Sequence, residues 1–412
     1  MLGNKLIVLG NGFDLASGLK SSYYDFFSER INDELAGYLD YAYENFAQNM
    51  YGINVKYDLL FNINCLDLYP VGLGYADRYS IGIPAEITYY GERYLIYEKL
   101  SCSNLTFWDL IFYFSKFENN IKDFKYYKYY DWQDVERRML EFLQTPEKMK
   151  EIPSFASIEG IVNGSFRRKN VATLLCLHLA CYLPKRDKQY SKENLIDYLY
   201  EELRLFEKYF ANYIRIESNK DSYKHNAVNK ICKISGKSIY SFDDKIFSFN
   251  YTDPFIEKKL DIINVHGKAK TNSILFGIDQ EAILPDSEIY SFTKTFRQMT
   301  ETKLAKNYQV DILPSKDEIE EIAFFGHSLS DLDYSYFQTI FDHYDVYNSR
   351  VRLVFYYEIY GDKTNRDMEL DLANKISQML HAYSPSIDNE KKGRNLLHKL
   401  LLEKRLIIEE IN

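Results

Sequence analysis

Four short segments of the chain place glycine or polar residues directly after an apolar run. They read GNGFD from Gly10, FNYTD from Phe249, VHG from Val265 and GHSLSDLD from Gly326. In an open α/β sheet, ligands bind beyond the carboxyl ends of the strands, so segments of this kind meet at one site. Glycines, amides, carboxylates and an imidazole together suit nucleotide binding and acid–base chemistry. The four segments therefore predict one shared nucleotide-binding site.

The first segment forms the turn after the apolar run LIVL. Gly10 and Gly12 allow a sharp turn and leave room for a ligand to reach main-chain N–H groups. Asn11 and Asp14 add an amide and a carboxylate at the same turn. Because the third glycine of GxGxxG is missing, a turn that binds nothing is an equally good interpretation of this segment alone.

Two side chains in the later segments have the chemistry of catalytic groups. His266 follows an apolar run and precedes a glycine, so its imidazole would lie at a strand tip. There it can act as a base or orient a ribose hydroxyl near neutral pH. Asn250 has the same placement, and its amide can hold a carbonyl, a water or a hydroxyl. The alternatives are a hydrogen-bonded strand-end histidine and an asparagine that forms an Asx turn.

The fourth segment adds binding candidates rather than catalytic ones. Gly326 and Ser328 suit close contact with a ribose or a phosphate. Asp331 is included as a third binding candidate, although helix capping is the commoner role for both Asp331 and Asp333.

These segments need a sheet to bring them together, and the apolar pattern supplies one. Strands are predicted at the LIVL run and at 245–250, 261–266, 319–325 and 351–357, with a further edge strand at 405–411. Helical patterns alternate with most of them, which is typical of an α/β sheet. Ser21 or Ser22 is expected to cap the first long helix.

The chain between the first two strands has a different pattern. Residues 51–93 show little periodicity and are expected to form a loop, whereas residues 100–240 are predominantly helical. We therefore predict an α/β nucleotide-binding core made of 1–49 and 240–412, and a mainly helical inserted subdomain at 50–239. The insertion is expected to cover the mouth of the site.

Trp132 and Glu136 lie four apart on one predicted helix face of this insertion. They could present groups to a ligand, although a packing residue with a solvated partner is the commoner arrangement.

Composition limits the function classes. The 412 residues include 51 basic and 60 acidic side chains, a net charge of −9, so no global basic field attracts nucleic acid. Five scattered cysteines argue against a disulfide framework and favour a reducing cytoplasm. No run of about 20 apolar residues is present, so a soluble, cytoplasmic protein without a membrane partner is expected.

A metal site is not expected. Cys176, His178 and Cys181 fall in an apolar helix, where the two cysteines lie on different faces and no fourth ligand is close in sequence.

Six motifs in order resemble the AbiH-type phage abortive-infection family. They are GNGFDLASGLKSSYYDFF, WQDVE, FSFNYTDPF, NVHG, ILFGID and FFGHSLSDLDYSYF, and they extend to about Phe337. The later motifs are in turn similar to sirtuin-like NAD-binding domains. Two features depart from that pattern: GNGFD stands where an alanine usually separates the glycines, and Thr252 stands where an aspartate often follows the asparagine. The sequence also lacks the four-cysteine zinc site of sirtuins, so protein deacetylation is not expected.

The resemblance implies roles for particular residues. Gly10 and Gly12 match the first dinucleotide-binding turn, Asn250 the catalytic asparagine and His266 the catalytic histidine. Gly326 and Ser328 match the turn on the adenosine side. The expected fold is a parallel, doubly wound α/β sheet, Rossmann-like and sirtuin-like, interrupted by the large helical insertion.

The resulting hypothesis is an anti-phage abortive-infection effector that hydrolyses NAD at the nicotinamide–ribose bond, with NAD as substrate. A non-catalytic nucleotide-binding sensor of a defence system is the main alternative, and a nuclease is a weaker one. Expected partners are NAD or a related nucleotide, while a second copy of the chain and a phage-derived or host trigger are left open.

Overall fold

The computed structural model describes residues 4–50, 99–118, 132–150, 171–180, 182–184, 195–280, 283–302, 312–330, 333–387 and 390–411. The predicted loop at 51–93, Cys181 and the binding candidate Asp331 lie outside these ranges.

The described strands form one parallel sheet. They are β1 (Asn4–Leu9), β2 (Lys245–Ser248), β3 (Ile262–Asn264), β4 (Ile319–Phe325), β5 (Arg352–Tyr357) and β6 (Leu406–Glu410). Their order across the sheet is β3-β2-β1-β4-β5-β6, and all pairs are parallel. The predicted α/β fold, its parallel sheet and the edge strand β6 are confirmed. Strands β2 and β3 end before Asn250 and His266, which leaves both residues beyond the strand tips.

Helices account for the regular structure described between β1 and β2. They are α1 (Asn11–Ala16), α2 (Tyr23–Arg30), α3 (Asp33–Met50), α4 (Phe107–Glu118), α5 (Trp132–Lys150), α6 (Val171–Ala180), α7 (Leu195–Glu217) and α8 (Asp221–Ser235), with a 3-10 turn at Ile239–Ser241. Ser22 caps α2 as predicted, since its Oγ accepts a hydrogen bond from the Asp25 N–H at 3.1 Å.

The helices after the third strand complete the chain. They are α9 (Lys294–Glu301), α10 (Tyr334–His343), α11 (Asn365–Tyr383), α12 (Glu390–Arg394) and α13 (Leu396–Leu402), with 3-10 turns at Ala269–Thr271, Glu288–Phe292 and Ser384–Ser386. A further 3-10 turn at Ile256–Lys258 lies between β2 and β3. None of the helices in the described ranges combines the length and apolar character needed to span a bilayer.

Both faces of the sheet are covered because the strands are apolar at successive positions. Ile7 and Leu9 pack in one cluster with residues of α8, while Leu6 and Val8 pack in another with α10, α11 and α13. Alternate residues of a strand point to opposite faces, so a continuous apolar run requires helices on both sides. A third cluster joins α2, α4 and α7 around Phe26.

The strand order places β1 at the centre of the sheet. From β1 the chain builds β2 and β3 on one side, and it then returns to place β4 on the other side. The crevice at the carboxyl ends of β1 and β4 is therefore the topological switch point, where open α/β sheets bind ligands.

The turns after β1 and β4 are in backbone contact at this switch point. The Gly10 N–H donates to Phe325 O at 3.1 Å, and the Gly12 N–H donates to Gly326 O at 2.7 Å. A Cβ on Gly10 would lie 2.5 Å from the His327 Cα, and a Cβ on Gly12 would lie 2.7 Å from the Gly326 Cα. Gly326 itself has a φ of 69°, and its own Cβ would lie 2.2 Å from the Phe13 nitrogen. Glycine is required here so that two turns can touch.

We expect Gly10→Ala to reduce the free energy of unfolding by about 3 kcal/mol, because the added methyl group meets backbone atoms that cannot move aside. Gly37→Ala is the matched control, since Gly37 lies in α3 with nothing within 4 Å of its Cβ position. That change should instead stabilise the protein by about 0.5–1 kcal/mol. Urea unfolding of both variants measures the difference, and equal effects would contradict the contact described for the two turns.

Candidate functional site

A cavity of about 860 Å³ opens at the carboxyl ends of the central strands. All eight described site candidates line it: Gly10, Asn11, Gly12, Asp14, Asn250, His266, Gly326 and Ser328. Helices of the region between β1 and β2 also contribute, through Tyr23, Glu136, Phe210 and Ile214. The predicted residues thus lie around one cavity, although more than 300 positions of sequence separate Gly10 from Ser328.

The turn after β1 uses its glycines differently from the expectation based on sequence. The N–H groups of Gly10 and Gly12 already donate to β4 and its turn, so they are not available to a ligand. Asn11 is also engaged, because its Oδ1 accepts from the Ser21 Oγ at 2.7 Å and its Nδ2 donates to Ser21 O at 3.3 Å. This turn shapes the cavity wall mainly through its backbone position.

Asp14 is a buried carboxylate held by hydroxyl groups. The Tyr223 hydroxyl donates to it at 2.6 Å and the Thr252 Oγ1 at 2.9 Å. Burial raises the pKa of Asp14 to about 6, although hydrogen bonds from Tyr223, Thr252 and Asn250 oppose the shift. Thr252, which replaces the aspartate of the sirtuin-like pattern, therefore serves as a hydrogen-bond donor to Asp14.

Asn250 connects β2 to the first turn. Its Nδ2 donates to Gly10 O at 3.0 Å, and its amide also supports the ionised form of Asp14. Its main-chain oxygen accepts from the Asn264 Nδ2 at 2.7 Å, so the backbone after β2 is fixed as well. Asn250 is 5% exposed and lines the cavity. The side chain therefore has a positioning role in the fold in addition to any contact with a ligand.

His266 lies on the cavity wall and is 5% exposed. The rings of Phe249 and Tyr336 pack against the imidazole, each with its centroid 5.5 Å away. Burial, together with the nearby charge of Lys294, lowers the pKa of His266 to about 3, and Asp333 opposes the shift. The imidazole is therefore neutral at physiological pH. Within the described residues its Nε2 atom is buried without a hydrogen-bond partner, which makes it available to a ligand.

A buried ionic cluster beside His266 was not predicted from the sequence. The Lys294 Nζ lies 2.8 Å from Glu136 Oε2 and 2.9 Å from Asp333 Oδ1, and all three residues line the cavity. Burial alone would lower the pKa of Lys294, but the two carboxylates raise it, so the ammonium stays charged. Burial raises the pKa of Glu136 well above its usual range, whereas Lys294 holds that of Asp333 well below. Asp333 is therefore the ionised partner.

The role of Asp333 differs from its commoner interpretation as a helix cap. It occupies the N-cap position of α10, yet its side chain makes no capping hydrogen bond. It turns instead to Lys294 and His327, whose Nε2 is 3.5 Å from Asp333 Oδ2. The His327 Nδ1 accepts the Leu329 N–H at 2.9 Å, so in the neutral ring the proton is on Nε2 and faces Asp333.

Helix α9 is fixed by Arg297, one turn after Lys294. Arg297 is fully buried and contacts the Glu207 carboxylate with two nitrogens, at 2.5 and 2.8 Å. It also donates to Phe276 O at 2.6 Å. This bidentate pair joins α9 to α7 and so determines where Lys294 enters the cavity.

Trp132 is the first residue of α5, the helix that carries Glu136. Of these two predicted residues, Glu136 lies among the described side chains and Trp132 does not. In the described ranges no group of three or more histidine, cysteine, aspartate or glutamate side chains is arranged to hold a metal ion.

The fold and the cavity define an α/β protein with a ligand-sized cleft at the switch point of a parallel sheet. Comparison with family models adds a more specific result, because the model described as bacteriophage abortive infection AbiH matches residues 6–357. The chain belongs to this family, which indicates a role in phage abortive infection. Comparisons with curated proteins and with solved structures give no match.

We expect Asp14→Asn to change how stability depends on pH. The folded pKa of about 6 exceeds the unfolded value of about 3.9, so the parent loses stability as pH rises through that window. Asparagine at position 14 does not ionise. The free energy of unfolding of the variant, relative to that of the parent, should therefore rise by up to about 3 kcal/mol between pH 4 and pH 7. Thermal unfolding across this range tests it, and a constant difference would contradict an ionisable, buried Asp14.

We expect Lys294→Met to reduce the free energy of unfolding by about 3–5 kcal/mol, because it leaves buried carboxylates without their cation. Glu136→Gln is the matched change, since glutamine still accepts from Lys294 and the cluster retains the Asp333 charge. Its cost should be about 1 kcal/mol or less. Urea unfolding separates the two, and a Lys294→Met protein as stable as Glu136→Gln would show that Lys294 does not neutralise the cluster.

Proposed function

We propose that this AbiH-family chain is an abortive-infection effector that hydrolyses NAD at the nicotinamide–ribose bond in the cytoplasm. The observation that supports this most directly is the buried Nε2 of His266, which has no hydrogen-bond partner among the described residues and lies in the same cavity as Asn250 and the glycine turn. A buried polar atom of this kind carries a free-energy cost unless a ligand or water satisfies it. A neutral imidazole acceptor on a cavity wall fits acid–base chemistry.

The sheet supports the assignment of a Rossmann-like, sirtuin-like core. Its strand order is the one typical of doubly wound sheets that bind dinucleotides across the switch point. The cavity lies at that point, and its volume of about 860 Å³ is within the usual range for cofactor sites of about 300–1,000 Å³.

The polar groups also suit the substrate. Because His266 is neutral, its imidazole can accept a hydrogen bond from a water or a ribose hydroxyl. Its low pKa makes it a weak base, so a proton moves to it only as the attacking oxygen bonds to carbon and becomes acidic. In the described structure the Asn250 Nδ2 is bonded to Gly10 O, which leaves its Oδ1 as the group for a water or a ribose hydroxyl. Gly326 and Ser328 also line the cavity, and we assign them to the adenosine half because the sirtuin-like resemblance does so.

The helical region between β1 and β2 supports the second part of the proposal, a helical insertion that covers the mouth of the site. Glu136 from α5 and Phe210 and Ile214 from α7 form part of the cavity wall. Such a wall excludes bulk water from the site and strengthens the electrostatic contacts inside.

We expect His266→Ala to lower the rate of nicotinamide release from NAD by about 10²–10⁴-fold, the usual effect of losing an acid–base group. Asn250→Ala should also abolish activity, with an added loss of stability because its amide holds the Gly10 carbonyl. The assay measures free nicotinamide with purified protein, and thermal unfolding reports whether each variant is folded.

His381→Ala is the control, since His381 is exposed on α11 and does not line the cavity. It should keep the parent rate. A folded His266→Ala protein that releases nicotinamide at the parent rate would exclude this mechanism, whereas wild-type protein that binds NAD without consuming it would favour the sensor.

A further inference from the structure

The structure places the Nε2 of His266 beside a carboxylate oxygen of Asp333 on the cavity wall. His266 Nε2 lies 3.9 Å from Asp333 Oδ1, which is too far for a direct hydrogen bond. In the neutral tautomer that carries its proton on Nδ1, His266 presents Nε2 as an acceptor, and an ionised carboxylate only accepts. At this separation, one oxygen at an ordinary hydrogen-bond length of about 2.8 Å from each atom would bridge the two.

We propose that His266 and Asp333 together bind the water that attacks NAD, and that they select water because it can donate two hydrogen bonds at once. This inference rests on the proposed NAD hydrolysis and assigns its nucleophile. A ribose hydroxyl or an alcohol has one O–H group and satisfies only one of the two acceptors. The pair is therefore specific for water.

The surroundings fix both acceptors in place. Lys294 holds Asp333 Oδ1 at 2.9 Å and is itself held by Glu136 at 2.8 Å. His327 faces the other carboxylate oxygen at 3.5 Å. On the His266 side, the rings of Phe249 and Tyr336 pack against the imidazole. The charged and titratable groups that act on His266 are thus Lys294, Asp333 and His327.

The proposed step is a displacement at C1′ of the nicotinamide-bearing ribose. The water oxygen forms a bond to C1′ of the nicotinamide-bearing ribose, and the C1′–nitrogen bond breaks with its electron pair leaving on nicotinamide. One water proton passes to His266 Nε2 and is later released to solvent. The other remains on the new hydroxyl of ADP-ribose, where Asp333 accepts its hydrogen bond. Asp333 also stabilises the imidazolium that forms next to it.

The test uses the full chain with NAD and with methanol as a competing nucleophile. Asp333→Ala should lower kcat by about 10²-fold while KM for NAD stays within about threefold, because Asp333 contacts the water rather than the dinucleotide. The ratio of methyl ADP-ribose to ADP-ribose should rise in the variant, since a single remaining acceptor no longer favours water. A purely structural role would not change that ratio.

Asp333→Asn keeps the side-chain volume and an acceptor for Lys294, so it is the second variant in case Asp333→Ala does not fold. It too should lower kcat without raising KM. Asp342→Asn is the control, because Asp342 lies on α10 outside the cavity and accepts from the Tyr383 hydroxyl at 2.6 Å. It should keep the parent rate and product ratio.

The outcomes separate this inference from the proposed function. Wild-type protein that releases no nicotinamide overturns both. Wild-type protein that hydrolyses NAD, together with a folded Asp333 variant that has the parent kcat and the parent product ratio, overturns the water site alone.

Discussion

The backbone contact between the turns after β1 and β4 is the constraint on which the rest of the site depends. Gly10 and Gly12 donate hydrogen bonds to β4 and its turn, and Gly326 fits against Phe13 only because it has no side chain. Asn250 then joins β2 to the same turn through the Gly10 carbonyl. Three strands that are distant in sequence are thereby held in one register at their carboxyl ends.

A second constraint is electrostatic. The cavity wall buries an ammonium and two carboxyl groups, and charged groups are tolerated inside a protein only when they are paired. Lys294 meets that requirement by contacting Glu136 and Asp333 together. Since Glu136 comes from α5 and Asp333 from the start of α10, the pairing also fixes the helical region against the sheet. His266 is left neutral beside an ionised carboxylate, which is the arrangement that the proposed chemistry needs.

Much of the fold could be predicted from sequence because its signals are local. The apolar run before Gly10 predicts a strand covered by helices on both faces of the sheet, and polar residues after the strands mark where the strands end. The domain boundaries and the NAD chemistry stay predictions.

The ionic cluster could not be predicted, because Lys294 lies at an ordinary helix start and its partners are 158 and 39 positions away in sequence. Gly10 and Gly12 were singled out for ligand contact through N–H groups, whereas those groups donate to the turn of a neighbouring strand. A glycine pattern does not reveal whether the close neighbour is a ligand or another backbone.

Product analysis by NMR, after purified wild-type protein is mixed with NAD, distinguishes hydrolysis at the nicotinamide–ribose bond from other outcomes. We expect NAD to be lost and free nicotinamide and ADP-ribose to appear in equal amounts, because the bond broken is the one at C1′. Cleavage at the pyrophosphate, or NAD that remains intact while bound to the protein, would contradict it.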